Sequence, residues 1–414
     1  MIVLLKMKKI TLLLVVLCLW SCNTTDDNQF EMVTVAVPQT MSKAEFRASV
    51  LVELPKPILD VGKIYAYQNY IFINEKFKGV HIIDNSNASL PQKIAFISIP
   101  GNEDISVKND FLFADSAIDL VVFDISDINT ITEVDRLQEV FDVYDYQIPN
   151  EANEADFSSV NFDTDVIVGW NLIEEQRELN RNDQGLEFDG SATASNGVGV
   201  GGSLARFQIV DNYLYTVGVS ELTVFDITNL SQPTLVNTNN AGWNIETMFY
   251  ADGYLYLGGS NGMFIHSLEN PASPQYISEF VHWEGCDPVV VDEDYAYLTL
   301  RGGNACGQEL SVLEVIDVSN KFNPTLVAQH ILDNPYGLGI KANHLFVCDG
   351  AAGLKVFDKT NPLDLQIVST FTNVQARDVI PLEDKLLMIS DNALYQYQFE
   401  TEGTIVLLST LILN

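Results

Sequence analysis

Charged side chains recur at one place in this chain, just ahead of a short apolar run. The lead-in dipeptides are Gly62-Lys63, Glu103-Asp104, Ala205-Arg206, Glu246-Thr247, Asp287-Pro288, Tyr336-Gly337 and Arg377-Asp378. Five of the seven supply a carboxylate or a guanidinium. If a fold gathers Asp104, Arg206, Glu246, Asp287, Arg377 and Asp378 at one mouth of a channel, two outcomes are open. They close into a ring of internal salt bridges, or they hold an anion, a cation or a peptide terminus, because loops that converge on such a mouth are where ligands sit.

Other chemistries leave little trace. His81, His266, His282, His330 and His344 are scattered, with neither the His-x-His nor the His-Glu-x-x-His spacing that zinc requires. No serine elbow, paired-carboxylate motif or Cys-His arrangement stands out, so no catalytic residue is assigned. Gly197 to Gly202 is rich in glycine but lacks the Lys-Ser/Thr of a phosphate loop. No resident cofactor is expected. Calcium is the one ion weighed, since Asp163-Thr164-Asp165 and the stretch from Asn182-Asp183 to Asp189-Gly190 offer oxygen ligands, although neither matches an EF-hand loop.

The elements that must position the charged residues come from a repeat. An aromatic-apolar strand, a turn and a second strand ending in Asp recur as Tyr70–Ile73 with Val80–Asp84, Phe111–Phe113 with Leu120–Asp124, and Tyr213–Tyr215 with Leu222–Asp226. They continue as Tyr254–Tyr256 with Met263–Ser267, Tyr295–Tyr297 with Leu313–Asp317, His344–Phe346 with Leu354–Asp358, and Leu386–Met388 with Leu394–Gln398. The closing position returns after 40 or 41 residues, except between 124 and 226 and between 267 and 317. Four short strands per 40 residues is the period of a β-propeller, in which each sheet hides its faces only against its neighbours. The prediction is an all-β chain of seven four-stranded blades, residues 46–413, with one long insertion, about 142–203, between blades 2 and 3.

The closing Asp has a structural task. In Asp226-Ile227-Thr228 and Asp317-Val318-Ser319 its carboxylate can accept backbone N–H groups of the turn to the outer strand. Prolines 233, 274, 324 and 362 stiffen that turn. Leu120–Asp124, Leu222–Asp226, Leu313–Asp317 and Leu354–Asp358 resemble the LVIVD repeat of secreted and surface bacterial proteins. The resemblance spans roughly residues 58–413 and implies the propeller fold and export, without implying a chemistry.

Of 414 residues, 22 are basic and 56 acidic, giving a formal charge of −34, which excludes a phosphate-backbone partner such as nucleic acid. The excess serves solubility, or attracts cations or a basic partner. At the N-terminus Lys6, Lys8 and Lys9 precede the apolar run Ile10 to Trp20, too short for a comfortable membrane span. Residues 1–21 read as an export peptide, and Leu19-Trp20-Ser21-Cys22 resembles the lipobox of bacterial lipoproteins, in which Cys22 would carry the lipid. Residues 22–45 read as a polar tether. Its acidic residues resemble the surface-export signal of Bacteroidetes lipoproteins, so the expected place is the outer membrane, surface-exposed, with the periplasmic leaflet as the alternative. Of the remaining cysteines, Cys286 and Cys306 flank the blade with extra residues and are expected to form a disulfide, contributing ~3 kcal/mol through the unfolded state. Cys348 in Leu345-Phe346-Val347 reads as a buried thiol.

Within the insertion, Val166–Trp170 reads as a strand, Leu172–Leu179 as a short helix, and the glycines before 203 as a flexible return. The segment is expected to form a partly ordered cap over one face. The function expected is a monomeric, non-enzymatic interaction module for a protein or glycan ligand. A hydrolase or lyase working at the same mouth, and a structural component of an envelope complex, are the alternatives.

Overall fold

A computed structural model describes residues 30–141, 148–149, 152–178, 200–204, 206–259, 262–282, 288–302, 310–400 and 404–414. Among these residues the chain is almost wholly β. Seven antiparallel meander sheets follow one another, and their innermost strands are Val61–Tyr67, Ile105–Lys108, Phe207–Val210, Ile245–Ala251, Val289–Asp292, Leu338–Lys341 and Asp378–Pro381. Each innermost strand touches the next, and the last returns to the first, so the sheets close around a channel.

The middle strands are buried on both faces, which is why they read as aromatic-apolar runs instead of strict alternations. Burial joins neighbours: Tyr65 and Phe72 of the first blade pack with Leu112 and Phe123 of the second, and Ile64 and Ile71 meet Ile380 and Leu387 of the last. Among the described residues no strand is shared between the first and last blades. Their seam is held by that cluster, by the Ile58 N–H donating to the Leu413 carbonyl (2.8 Å), and by the Gln396 amide donating to Asn85 (2.7 Å).

The repeated Asp does what its position predicts. Asp84, Asp124, Asp226, Asp317 and Asp358 each accept the backbone N–H two residues on, at 2.7 to 2.9 Å. Ser267 fills the same role with its hydroxyl, accepting from the Glu269 N–H at 3.1 Å. In all seven blades the ladder between third and fourth strands slips once, as at Val224/Phe225 and Ile265/His266. A bulge of this kind sharpens the local twist.

Two expectations are corrected here. The stretch read as a polar tether contains a strand, Phe30–Ser42, and a short helix, Lys43–Ala48, capped by the Ser42 hydroxyl. The stretch read as a helix, Leu172–Leu179, continues instead the strand Asp165–Glu178. The two strands pair antiparallel from Phe30↔Glu178 to Ser42↔Asp165, with one bulge at Gln39/Thr40. Glu174, Glu175, Gln176 and Arg177 favour a helix locally, but a thirteen-residue ladder supplies backbone partners that a two-turn helix cannot.

This ribbon is fixed to the second blade. Phe46 is fully buried against Ala117, Ile118, Val166 and Ile167. Beside it the buried Asp119 carboxylate receives Arg47 Nε (2.8 Å), Arg136 (3.1 Å) and the Glu139 backbone N–H (2.9 Å). Burial works against ionising Asp119, but the Arg47, Glu139 and Arg136 hydrogen bonds outweigh it and hold the carboxyl below its ordinary range.

Candidate functional site

The described end of the insertion lies along the inner edge of the first blade. Val200–Gly201 pairs with the first blade's innermost strand, Val200 opposite Ala66 and Gly201 opposite Tyr65. Gly202 and Ser203 are buried. The Ser203 hydroxyl accepts the Leu338 N–H of the sixth blade (2.7 Å), and its backbone N–H donates to Asp378 of the seventh. Gly201 and Gly202, from the run expected to form a flexible return, are therefore docked: residues 200–203 touch the first, sixth and seventh blades and form a plug against their inner edges.

The Asp378 carboxylate lies between two glycines. A Cβ on Gly202 would meet its Oδ2 at 1.9 Å, and one on Gly337 would meet its Oδ1 at 2.1 Å. Glycine is required at both places for close approach. Burial raises Asp378 to about 7, against the pull of the Val379 N–H, the Lys63 charge and the Ser203 N–H.

Above the plug is a cavity of about 270 Å³. Leu204 of the plug contributes to it, and the lead-in residues Lys63, Glu246, Thr247, Pro288, Tyr336, Arg377 and Asp378 line it. Second-strand exits close the wall with Lys76, Arg301 and Asp391. The guanidiniums of Arg301 and Arg377 both lie over the Tyr336 ring, 4.3 and 4.6 Å from its centre. Arg377 is oriented by Asp391, with Nε to Oδ1 at 2.8 Å and Nη2 to Oδ2 at 3.1 Å. Burial alone would raise the Tyr336 phenol, but the charges of Arg377 and Arg301 prevail and hold it below its usual value.

Of the lead-in residues singled out in the sequence, Glu246, Arg377 and Asp378 line this cavity. Asp104 and Arg206 do not line the cavity; they belong to a buried network beside it. Asp104 forms an ion pair with Lys63 (3.2 Å), and its Oδ2 accepts the backbone N–H groups of Arg206 (2.9 Å) and Phe207 (3.0 Å). Burial outweighs the pairing for both partners, raising Asp104 and lowering Lys63. Arg206 pairs with Glu103 at 2.5 Å. Asp115, which accepts the N–H groups of Glu103 and Asp104 (both 2.9 Å), is pushed up to about 7 by burial and by the charge of Glu103. Salt bridges therefore close one side of the mouth, while the other side is an open pocket.

Asp287, Cys22 and the expected Cys286–Cys306 bridge lie outside the described residues, as does the candidate calcium stretch 182–190. Among the described residues no cluster of three or more His, Cys, Asp or Glu has metal-binding geometry. Cys348 is buried and unbridged, and burial pushes its thiol well up. Sequence reasoning missed Arg301 and Asp391. Their signal was available, because the second strand of each blade ends at the same face where the first begins.

A closed ring of four-stranded meanders around a channel defines a β-propeller, here with a charged pocket at one mouth. The chain carries LVIVD repeats: the LVIVD repeat family model matches residues 60–95, 102–138, 201–240 and 286–330, overlapping the first, second, third and fifth blades. No curated protein matches the chain. Among solved structures it resembles the periplasmic gluconolactonase PpgL of Pseudomonas aeruginosa (TM-score 0.52, 12% identity, covering 85% of this chain and 96% of that one). A protein from Lactobacillus plantarum is similar to the same degree (TM-score 0.52, 11% identity, 85% and 95% covered). So is the computationally designed Ika8 protein (TM-score 0.51, 10% identity, 85% and 88% covered). At these identities the likeness shows the fold alone.

Proposed function

We propose that this chain is a ligand-binding propeller, a non-enzymatic interaction module whose partner engages the pocket at the plugged channel mouth. The observation that carries the reading is the Arg301–Tyr336–Arg377 cluster. Two guanidiniums are stacked on one ring in a concave, partly apolar site, which is the arrangement of a preorganised recognition surface. The apolar run Ile10 to Trp20 and Cys22 support export and lipid anchoring, which would present the disk at the outer membrane.

The test is recovery of partners from the native organism with residues 30–414 as bait. We expect a partner that the wild type retains and that Arg377→Ala or Arg301→Ala loses, while both variants melt as the wild type does. Retention of the partner by both variants contradicts the reading. A hydrolase or lyase is the second reading, favoured by one observation: Asp378, raised to about 7, stands ready as an acid or base in the same pocket. Turnover on a panel of glycans and esters that disappears in Asp378→Asn would establish it.

A further inference from the structure

Four features of the pocket bear on what enters it. Its lining includes Leu204 of the docked segment 200–204, which is anchored on the first, sixth and seventh blades. Tyr336, the one aromatic ring among the described lining residues, has both guanidiniums over it, so it is not presented as a stacking platform for a sugar. The cations of the pocket include Arg301 and Arg377, stacked on that ring with Arg377 37% exposed, and the Lys63 ammonium, buried in its ion pair with Asp104. The same lining includes the apolar Leu59, Val61, Leu204, Pro335 and Ile389.

The carboxylates in the same lining are mostly engaged. Asp391 holds Arg377 at 2.8 Å, and Asp378 accepts the N–H groups of Val379 and Ser203, which ties it to the plug. Cations and apolar side chains in one cavity suit a group that carries a carboxylate and an apolar side chain on the same carbon. A guanidinium takes a carboxylate through paired N–H groups, and capture of a chain terminus is a recurrent recognition mode.

Resting on the reading of this pocket as the ligand site, we propose that it captures the C-terminal carboxylate of a protein partner. Arg301 and Arg377 take the carboxylate, and Leu59, Val61 and Leu204 receive the terminal side chain.

The experiment uses the full chain and a pool of short peptides ending in Leu, Val, Phe or Ala, each made with a free carboxylate and as the amide. Binding is read by fluorescence polarisation. We expect at least one free-acid peptide to bind, its amide to bind roughly tenfold or more weakly, and Arg301→Ala to remove the difference. Arg301→Lys, which keeps the charge and loses the fork, should fall between them. Equal binding of acid and amide overturns the proposal, and so does failure of every peptide to bind. An oligogalacturonate is run alongside. If it binds and Arg301→Ala abolishes that binding, the peptide proposal falls while the pocket stands as a ligand site. If nothing binds, and the partner recovery above is also unaffected by Arg301→Ala, both fall.

Discussion

Gly202 has no side chain because the Asp378 carboxylate occupies the space where one would be. A Cβ there would sit 1.9 Å from Oδ2. The contact joins a residue of the insertion to the lead-in of the last blade, so the plug and the ring are fitted to each other. The floor of the pocket depends on this fit, since Leu204 lies two residues on.

Gly202→Ala therefore forces either the plug or Asp378 to move. Overpacking of this kind costs about 1–3 kcal/mol. We expect a lower urea midpoint together with faster proteolysis between residues 179 and 206. A variant as stable and as protease-resistant as the wild type would show that the segment does not seat in the channel.

Two arginines separate structure from recognition. Arg206 pairs with Glu103, and both side chains are about nine-tenths buried. Removing one partner of a buried pair costs about 3–5 kcal/mol, so Arg206→Ala should lose much of the stability. Arg377 and Asp391 are 37% and 51% exposed, and a pair this open is worth about 0–1 kcal/mol, so Arg377→Ala should unfold near the wild-type midpoint. Urea unfolding of the two variants checks the order.

Asp378 and Asp115 are each held near 7 by burial, against about 3.9 in an unfolded chain. Between those values the folded chain keeps protons that the unfolded chain has released. Stability should therefore fall as pH rises from about 4 to about 7 and level off above. The turn carboxylates Asp84, Asp226 and Asp317 are depressed, so their contribution is lost only as pH drops below about 4. Asp378→Asn cannot ionise and should flatten the slope by up to one proton, roughly 1.4 kcal/mol per pH unit. Urea midpoints across that window measure it, and an unchanged slope would contradict the assignment.

The ribbon is held by Phe46 and Asp119. Phe46→Ala should cost about 3–5 kcal/mol if it unfolds with the blades. If the ribbon opens alone, the same variant should expose residues 30–48 to exchange while the blades stay protected. No change in either readout would mean that the ribbon is not docked as described.

What the sequence made legible was whatever repeats. The 40-residue spacing fixes the meanders, the Asp-x-Ser/Thr turns form as their chemistry requires, and alignment of the lead-ins brings Glu246, Arg377 and Asp378 to one cavity. What it hid was whatever occurs once. Phe30–Ser42 finds its partner about 130 residues away, and no local pattern in Glu174–Arg177 announces a strand. A run of glycines reads as a linker, and only the nearness of Asp378 shows that at Gly202 it serves close packing. Asp104 and Arg206 carry the same charges as the pocket residues, yet burial against Lys63 and Glu103 gives them a structural task.

The pocket as described exists only if residues 200–204 dock on the inner strands of the ring, and hydrogen exchange on the full chain tests this most directly. The account predicts that the Ser203, Arg206 and Phe207 amides, bound to Asp378 and Asp104, exchange as slowly as those of the middle strands. Exchange of these three amides at the rate of an open loop would contradict it.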